Sequence, residues 1–418
     1  MTWLPRNPDR DQSGSQKEKT MRQLASRIDL ISPSPTLALD SKAKAMKAAG
    51  QDIIGFGIGE PDFQTPDHIK EAAIKAVKDG FTRYTPADGI VELREAVCEK
   101  FKRDNGLDYT PSQIVISNGG KHALFNIFFT LFQPGDEIII PTPAWVSYAP
   151  LALLCGATPV LIETRAENNY TLTASDLEAA LTPKTKGLLI NSPSNPTGMA
   201  YDRERLKELS QIVLKHNLWL ISDDIYEKIV FDGFKFHNML MVEPELYDRT
   251  IIAHGLAKTY AMTGWRIGFL AGPEKVARSA AKIQSHTTAN PCSISQKAAV
   301  AALNGPQEVV GEMVASFTRR RDLVLELLAD IPGLTCPKPQ GAFYVFPDIS
   351  AYIGKKSGDR LMATSDDIAD YLLEKAGAAI VPGSGFSSEN NLRISYAVSD
   401  EDIERGLKRV KQALLELK

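Results

Sequence analysis

Between residues 110 and 275, short apolar runs alternate with longer stretches in which apolar positions recur every three or four residues. The short runs predict buried strands, the longer stretches amphipathic helices, and their alternation an α/β fold. Strands are expected at 114–117, 137–140, 159–162, 187–191, 219–222, 250–253 and 267–271. Helical spacers between several of them suit right-handed crossovers. The expected core is therefore a mostly parallel seven-stranded sheet flanked by helices, with room for a reversed strand. Two helices are expected ahead of it. One runs from Thr65 and Pro66 to Gly80, because a hydroxyl can cap free amides and proline tolerates a first helical turn. The other covers 91–105 and is closed by Gly106.

After Pro291 the pattern changes to long helical stretches, including 307–329, with short strands at 342–346, 379–381 and 392–396. This predicts a second, smaller α+β domain. A helix at 36–49, stopped by Gly50, is expected to pack with it and so make the sheet domain an insertion. The expected division is a disordered polar extension at 1–20, an N-terminal arm and helix at 21–50, a large domain at 51–305 and a small C-terminal domain at 306–418. Met21 is an alternative start. A length of 418 residues agrees with two or three domains at about 150 residues each.

Composition narrows the function classes. Lys and Arg number 48 against 51 Asp and Glu, a net charge of -3, so no broad basic surface for nucleic acid is expected. The densest apolar run, 124–132, is interrupted by Asn126 and Thr130 and falls short of the roughly 18 residues of a membrane span. Cys98, Cys155, Cys292 and Cys336 are far apart, which predicts reduced thiols, with neither a disulfide framework nor a metal site. The first 20 residues lack the apolar core of a signal peptide. A cytoplasmic protein is expected.

Ligands of open parallel sheets bind where loops leave the carboxyl ends of strands. After the first expected strand, Gly119 and Gly120 free the backbone to curl before Lys121 and a helix, a seat for phosphate as well as an ordinary turn. After the fourth comes a rigid turn containing Asn195. After the fifth come Asp223 and, three residues past it, Tyr226; a carboxylate at a buried strand end calls for a cation. Past the sixth stand Lys258 and, eight residues later, Arg266. A lysine out of water and near another cation has a lowered pKa, and its neutral amine attacks carbonyls. Pyridoxal phosphate meets all four demands: a phosphate for the glycine loop and Arg266, an aldehyde for Lys258, and a ring nitrogen for Asp223.

The segments "GEPDFQTPDHIKEA", "RYTPADGIVELREA", "NSPSNPTG", "SDDIYE", "AKTYAMTGWRIGF" and "LRISYA" occur in the order and spacing of class I aminotransferases. Over residues 25–415 the chain resembles that family, most closely its bacterial aspartate aminotransferase branch, which includes enzymes that also act on prephenate. The resemblance implies a fold-type-I pyridoxal phosphate enzyme that is a homodimer with shared active sites. It implies that Lys258 links to the cofactor, Asp223 bonds its pyridine nitrogen, and Asn195 and Tyr226 bond its ring oxygen. Arg266 with the Gly120 and Lys121 amides matches the phosphate site, Tyr84 the tyrosine reaching the neighbouring subunit's phosphate, and Trp145 the aromatic stacked on the ring. Arg393, with the Gly59 backbone nearby, matches the grip on the substrate's α-carboxylate, a forked pairing that lysine does not reproduce. Two positions depart from many members: Ala257 replaces a serine and His254 an asparagine.

The implied reaction is ping-pong transfer of an amino group from aspartate or glutamate to a 2-oxo acid. Lys121 resembles the lysine that meets a distal carboxylate, and Thr36 with Lys121 resembles the pairing in prephenate-accepting members. A prephenate, aromatic or broad-specificity aminotransferase is the alternative, and a C–S β-lyase a further one.

Overall fold

The computed structural model describes residues 24–418; the expected extension at 1–20 lies outside them. The seven strands are β1 (Ile114–Ser117), β2 (Glu137–Thr142), β3 (Thr158–Glu163), β4 (Thr185–Asn191), β5 (Trp219–Asp223), β6 (Thr250–Gly255) and β7 (Gly268–Ala271). They form one sheet in the order β1-β7-β6-β5-β4-β2-β3. β7 is the reversed strand, antiparallel to both β1 and β6, and every other pairing is parallel. The direction of β1 therefore matches that of β4, β5 and β6, and their carboxyl ends share one edge. The central strands read as unbroken apolar runs, Leu188 to Ile190 and Ile251 to Ala253 for example, because helices cover both faces.

Helices form at Asp67–Lys78 and Val91–Asn105, the second closed by Gly106 in the left-handed region at φ +66°. Thr65 does not cap the first. Its hydroxyl donates to the Ala261 carbonyl at 2.7 Å and accepts from Trp265 Nε1 at 3.0 Å. A tertiary pair of partners has replaced the local one, and the helix begins after Pro66.

A separate core gathers the C-terminal elements. It contains Phe317, Val324 and Leu328 from the helix Glu308–Ala329, together with Phe343, Tyr344, Leu392 and Ile394 from the short strands. Ile54 and Phe56 also belong to it, as do Tyr226, Ile229 and Phe231 from the turn after β5. The Glu308–Ala329 helix spans both cores, since Val310 packs with the sheet side. The strand expected at 379–381 is two strands with different partners: Ala378–Ala379 pairs in parallel with Ile54–Gly55, and Val381–Pro382 antiparallel with Leu392–Ser395. The helix Pro35–Ala48 packs Ala43, Leu39 and Met46 against Leu373 and Ala379. This closure of early residues onto late ones brings Gly57 to Glu60 over the sheet edge. Among the described residues no helix is long and apolar enough to cross a membrane.

Candidate active site

A cavity of about 480 Å³ opens where the carboxyl ends of β1, β4, β5 and β6 meet the C-terminal core. Its first wall is backbone. Gly119 adopts φ +87°, turning the chain straight from β1 into the helix Gly120–Leu131. A Cβ on Gly119 would stand 2.3 Å from Arg266 Nη2, so only glycine lets the guanidinium close on this loop. A Cβ on Gly268 would meet the Gly120 nitrogen at 2.3 Å. The amides of Gly120 and Lys121 lie in the first helical turn, where no earlier helical carbonyl exists to receive them. Arg266 donates to the Thr263 and Asn118 carbonyls at 3.0 and 3.3 Å. These contacts orient its charge without neutralising it, and among the described residues no carboxylate pairs with it. Free amides, a helix N-terminus and an uncompensated arginine make an anion cradle.

Asp223 closes β5, 5% exposed. Tyr148 donates to its Oδ2 at 2.7 Å and the Ile225 amide to its Oδ1 at 3.3 Å. Burial nevertheless pushes its pKa up to about 6, against those hydrogen bonds and the charge of Lys258. Asn191 ties β4 to the same point, donating to the Asp223 carbonyl at 2.9 Å and accepting the Asn195 amide at 3.0 Å. Lys258 follows β6 and donates from Nζ to the Gly59 carbonyl. Desolvation, aided by Arg393 and Arg266 and opposed by Glu60 and Asp223, lowers its pKa to about 8.

Arg393, on the strand Leu392–Ser395, is 2% exposed. Its Nη1 donates to Asn195 Oδ1 at 3.0 Å and its Nη2 to the Gly57 carbonyl at 2.6 Å. The Tyr344 and Phe386 rings flank it at 4.6 and 5.0 Å. Its Nε has no partner, and among the described residues no carboxylate meets it. Tyr226 and Tyr344 share a hydrogen bond of 2.9 Å. Lys121 sits 5.0 Å above the Trp145 ring, its pKa lowered by burial and by Arg266.

Eleven of the expected residues line this one cavity: Thr36, Gly59, Gly120, Lys121, Trp145, Asn195, Asp223, Tyr226, Lys258, Arg266 and Arg393. Gly119 lies against Arg266. Tyr84 is not among them; it is 94% exposed. Ala257 lines the wall, whereas His254 is buried away from it. Sequence reasoning missed Tyr148 and Tyr344. Tyr148 stood three residues past Trp145 in "PAWVSY" and was legible; Tyr344 in "AFYVF" carried no polar signal. Also missed were Glu60 and the pair Asp40 and Lys44 at 2.7 Å, which line the same wall.

A sheet with its anion cradle, buried acid and activated amine on one edge defines a class of cofactor enzyme rather than a simple binding fold. The chain belongs to the aminotransferases of class I and II, whose family model matches residues 51–410. It is 50% identical to the aspartate/prephenate aminotransferase of Cereibacter sphaeroides over 93% of this chain and 98% of that protein. Among solved structures, the aspartate aminotransferase from Rhizobium meliloti superposes with a TM-score of 0.92 at 46% identity, covering 95% of this chain and 100% of that one. The aspartate aminotransferase from Thermus thermophilus with maleate does so at 0.88 and 40%, covering 94% and 100%. The protein is thus a pyridoxal phosphate-dependent transaminase of fold type I, working on amino and 2-oxo acids. The donor set fits that cofactor: the cradle suits a phosphate, the buried Asp223 a cationic ring nitrogen, and the lowered amine of Lys258 an aldehyde.

Proposed function

We propose that this enzyme transfers the amino group between aspartate or glutamate and 2-oxo acids, with oxaloacetate and 2-oxoglutarate as keto partners. The observation that carries the reading is a cation on the cavity wall that no other group uses. Arg266 is assigned to phosphate, Lys258 to the aldehyde and Arg393 to the α-carboxylate. Lys44 is already paired with Asp40. Lys121 remains, without a carboxylate partner among the described residues and poised over Trp145; a dicarboxylic substrate supplies one. Maleate in the Thermus relative, a four-carbon dicarboxylate, supports this.

When bound, pyridoxal phosphate supplies an aldehyde for the amino group and a ring that withdraws electrons as the Cα–H bond breaks. Lys258 Nζ, with its pKa near 8, is the base that takes the Cα proton and delivers it on the other side of the transfer. Asp223 keeps a proton at the ring nitrogen, which preorganises the charge that the transition state requires. Tyr148 Oη fixes its carboxylate. Asn195 and Tyr226 are assigned to the ring oxygen and Trp145 to the ring face. Arg393 binds the α-carboxylate in a forked pair, exchanging the Asn195 and Gly57 oxygens for the stronger acceptor. Burial between two cores excludes water from this end.

Half-reaction absorbance of the holoenzyme with a panel of amino acids tests the substrate class. Aspartate and glutamate should react far faster than aromatic or branched amino acids; the reverse order sinks the reading. A prephenate arm with glutamate as donor measures acceptor breadth. Release of pyruvate and ammonia without a keto acid would instead indicate a lyase.

The same reading includes a cytoplasmic homodimer, with 51–305 and 306–418 as its two domains. Tyr84 supports it: a tyrosine almost fully exposed, with Leu37, Ile74, Val77 and Val91 also exposed, is what an interface leaves on one subunit. Mixed dimers of Tyr84→Ala and Lys258→Ala subunits test it. Activity recovered in the hybrid supports sites shared between subunits, and none recovered counts against them.

A further inference from the structure

The turn after β5 sends its acids to two sides. Asp223 and Tyr226 line the cavity; Asp224 and Glu227, 1% and 3% exposed, do not and are buried behind it. Asp224 is fixed by Ser222 Oγ at 2.6 Å and Asn238 Nδ2 at 2.7 Å. Glu227 forms an ion pair with Lys100, which reaches it from the helix Val91–Asn105. Asn105 braces both partners, accepting from Lys100 Nζ at 2.7 Å and donating to Glu227 Oε2 at 2.9 Å. On the neighbouring β6, His254 Nε2 lies 3.4 Å from Glu227 Oε1. The Gly255 amide donates to His254 Nδ1 at 2.6 Å, so the neutral ring carries its proton on Nε2, toward the glutamate. The ring lies flat on Phe269, 5.1 Å away with planes 2° apart.

Apolar residues of equal volume stabilise a fold as well as a buried ion pair does. The feature that distinguishes this one is its address. Glu227 directly follows Tyr226 and its amide donates to the Asp224 carbonyl at 3.0 Å, so the grip on its carboxylate fixes the whole turn. His254 stands four residues before Lys258, on the strand that leads to it.

We propose that Glu227, held by Lys100 and Asn105 with His254 beside it, is a positioning residue that draws the turn back against the helix Val91–Asn105 and so sets where Asp223 and Tyr226 present their polar atoms to the cofactor. This rests on the cofactor-facing roles assigned above to Asp223 and Tyr226. The ion pair lowers the Glu227 pKa despite its burial, through Lys100 and His254, so the brace stays charged across the working pH range.

The test uses the full-length protein with two readouts besides turnover: the dissociation constant for pyridoxal phosphate, and the pH midpoint of the bound cofactor's visible absorbance. Glu227→Gln leaves buried Lys100 with only Asp104, 3.9 Å away and already shared with Arg103 and Lys228, as a counter-charge, which endangers folding; the double variant Lys100→Met/Glu227→Gln leaves no lone charge. The double variant should keep the parental thermal transition while weakening cofactor affinity about tenfold, the scale on which partners behind a ligating group act. The absorbance midpoint should move by about half a pH unit or more. Parental affinity and midpoint in the double variant would overturn the proposal and leave a packing role. Asp223→Asn is the control: if it too changes neither readout, the reading of the cavity fails before that of the brace.

Discussion

In the roles proposed for them, the two arginines of the cavity solve one problem, the grip on an anion, by opposite means. Arg266 is exposed, leans on two carbonyls of nearby loops, and faces a glycine turn that any side chain would block. Arg393 is buried, its guanidinium fixed by Asn195 and Gly57 across 198 and 336 residues of sequence and sandwiched by aromatic rings. The first end is backbone, preorganised by a helix N-terminus, and suits a group that stays. The second end joins the Asn195, Tyr344 and Phe386 side chains to the Gly57 carbonyl, is desolvated, and suits a group that comes and goes. A desolvated arginine discriminates more steeply, because its attraction is unscreened and its vacancy is costly.

The largest expected effect belongs to the residue between the two ends. Lys258→Ala removes the proposed base and should lower turnover by at least about 10³-fold. Cofactor should still bind noncovalently through the Arg266 end, as equilibrium dialysis would register. Next comes Asp223→Asn. With the wild-type carboxylate raised to about 6, its stabilisation of the cofactor-free fold is complete below about pH 4 and lost as pH rises through about 6. At pH 8 the ionised group therefore costs the free protein about 3 kcal/mol, which asparagine removes. Thermal melts of the cofactor-free variant should be a few degrees higher than the parent at pH 8 and equal to it near pH 4, while turnover falls by roughly two orders of magnitude. An unchanged melt at pH 8 would show that Asp223 is not held charged against its surroundings.

The arginines then separate the two ends. Arg393→Lys should reduce kcat/KM for aspartate by about a hundredfold while leaving cofactor affinity near the parent, since the forked pairing and both bracing bonds are lost together. Arg266→Lys should do the converse, weakening pyridoxal phosphate about tenfold with little change in the amino acid KM. Equal effects of both variants on both constants would erase the contrast.

The same contrast explains what the sequence disclosed. The Arg266 end is local: Gly119, Gly120 and a strand-to-helix turn are adjacent in the chain, and their conformational demands are written in residue type. The seven strands were legible for the same reason, their apolar runs lying between turn residues. The Arg393 end depends on contacts hundreds of residues apart. The motif resemblance identified Arg393 itself, but Tyr344, which sits under its guanidinium and bonds Tyr226, reads in sequence as one more core aromatic. Thr65 shows the reverse error, a local cap signal taken over by the Ala261 carbonyl and Trp265. The brace behind Glu227 was invisible because Lys100 belongs to a helix whose other residues read as an ordinary amphipathic surface.

Tyr344 therefore offers the finest probe. Its hydroxyl bonds Tyr226 at 2.9 Å, and a Cβ on Gly59 would also stand 2.9 Å from it, so the hydroxyl sits where the 57–60 segment, the C-terminal core and the sheet edge converge. Tyr344→Phe keeps the ring under Arg393 and removes one neutral hydrogen bond, worth about 1 kcal/mol net. The expected loss is about fivefold. If the hydroxyl serves the cofactor end through Tyr226, the loss falls on kcat and on the pH midpoint of the visible absorbance; if it serves the carboxylate end, KM for aspartate rises alone. The split between the two constants assigns Tyr344 to one end, and no change in either would make its hydroxyl a bystander to both.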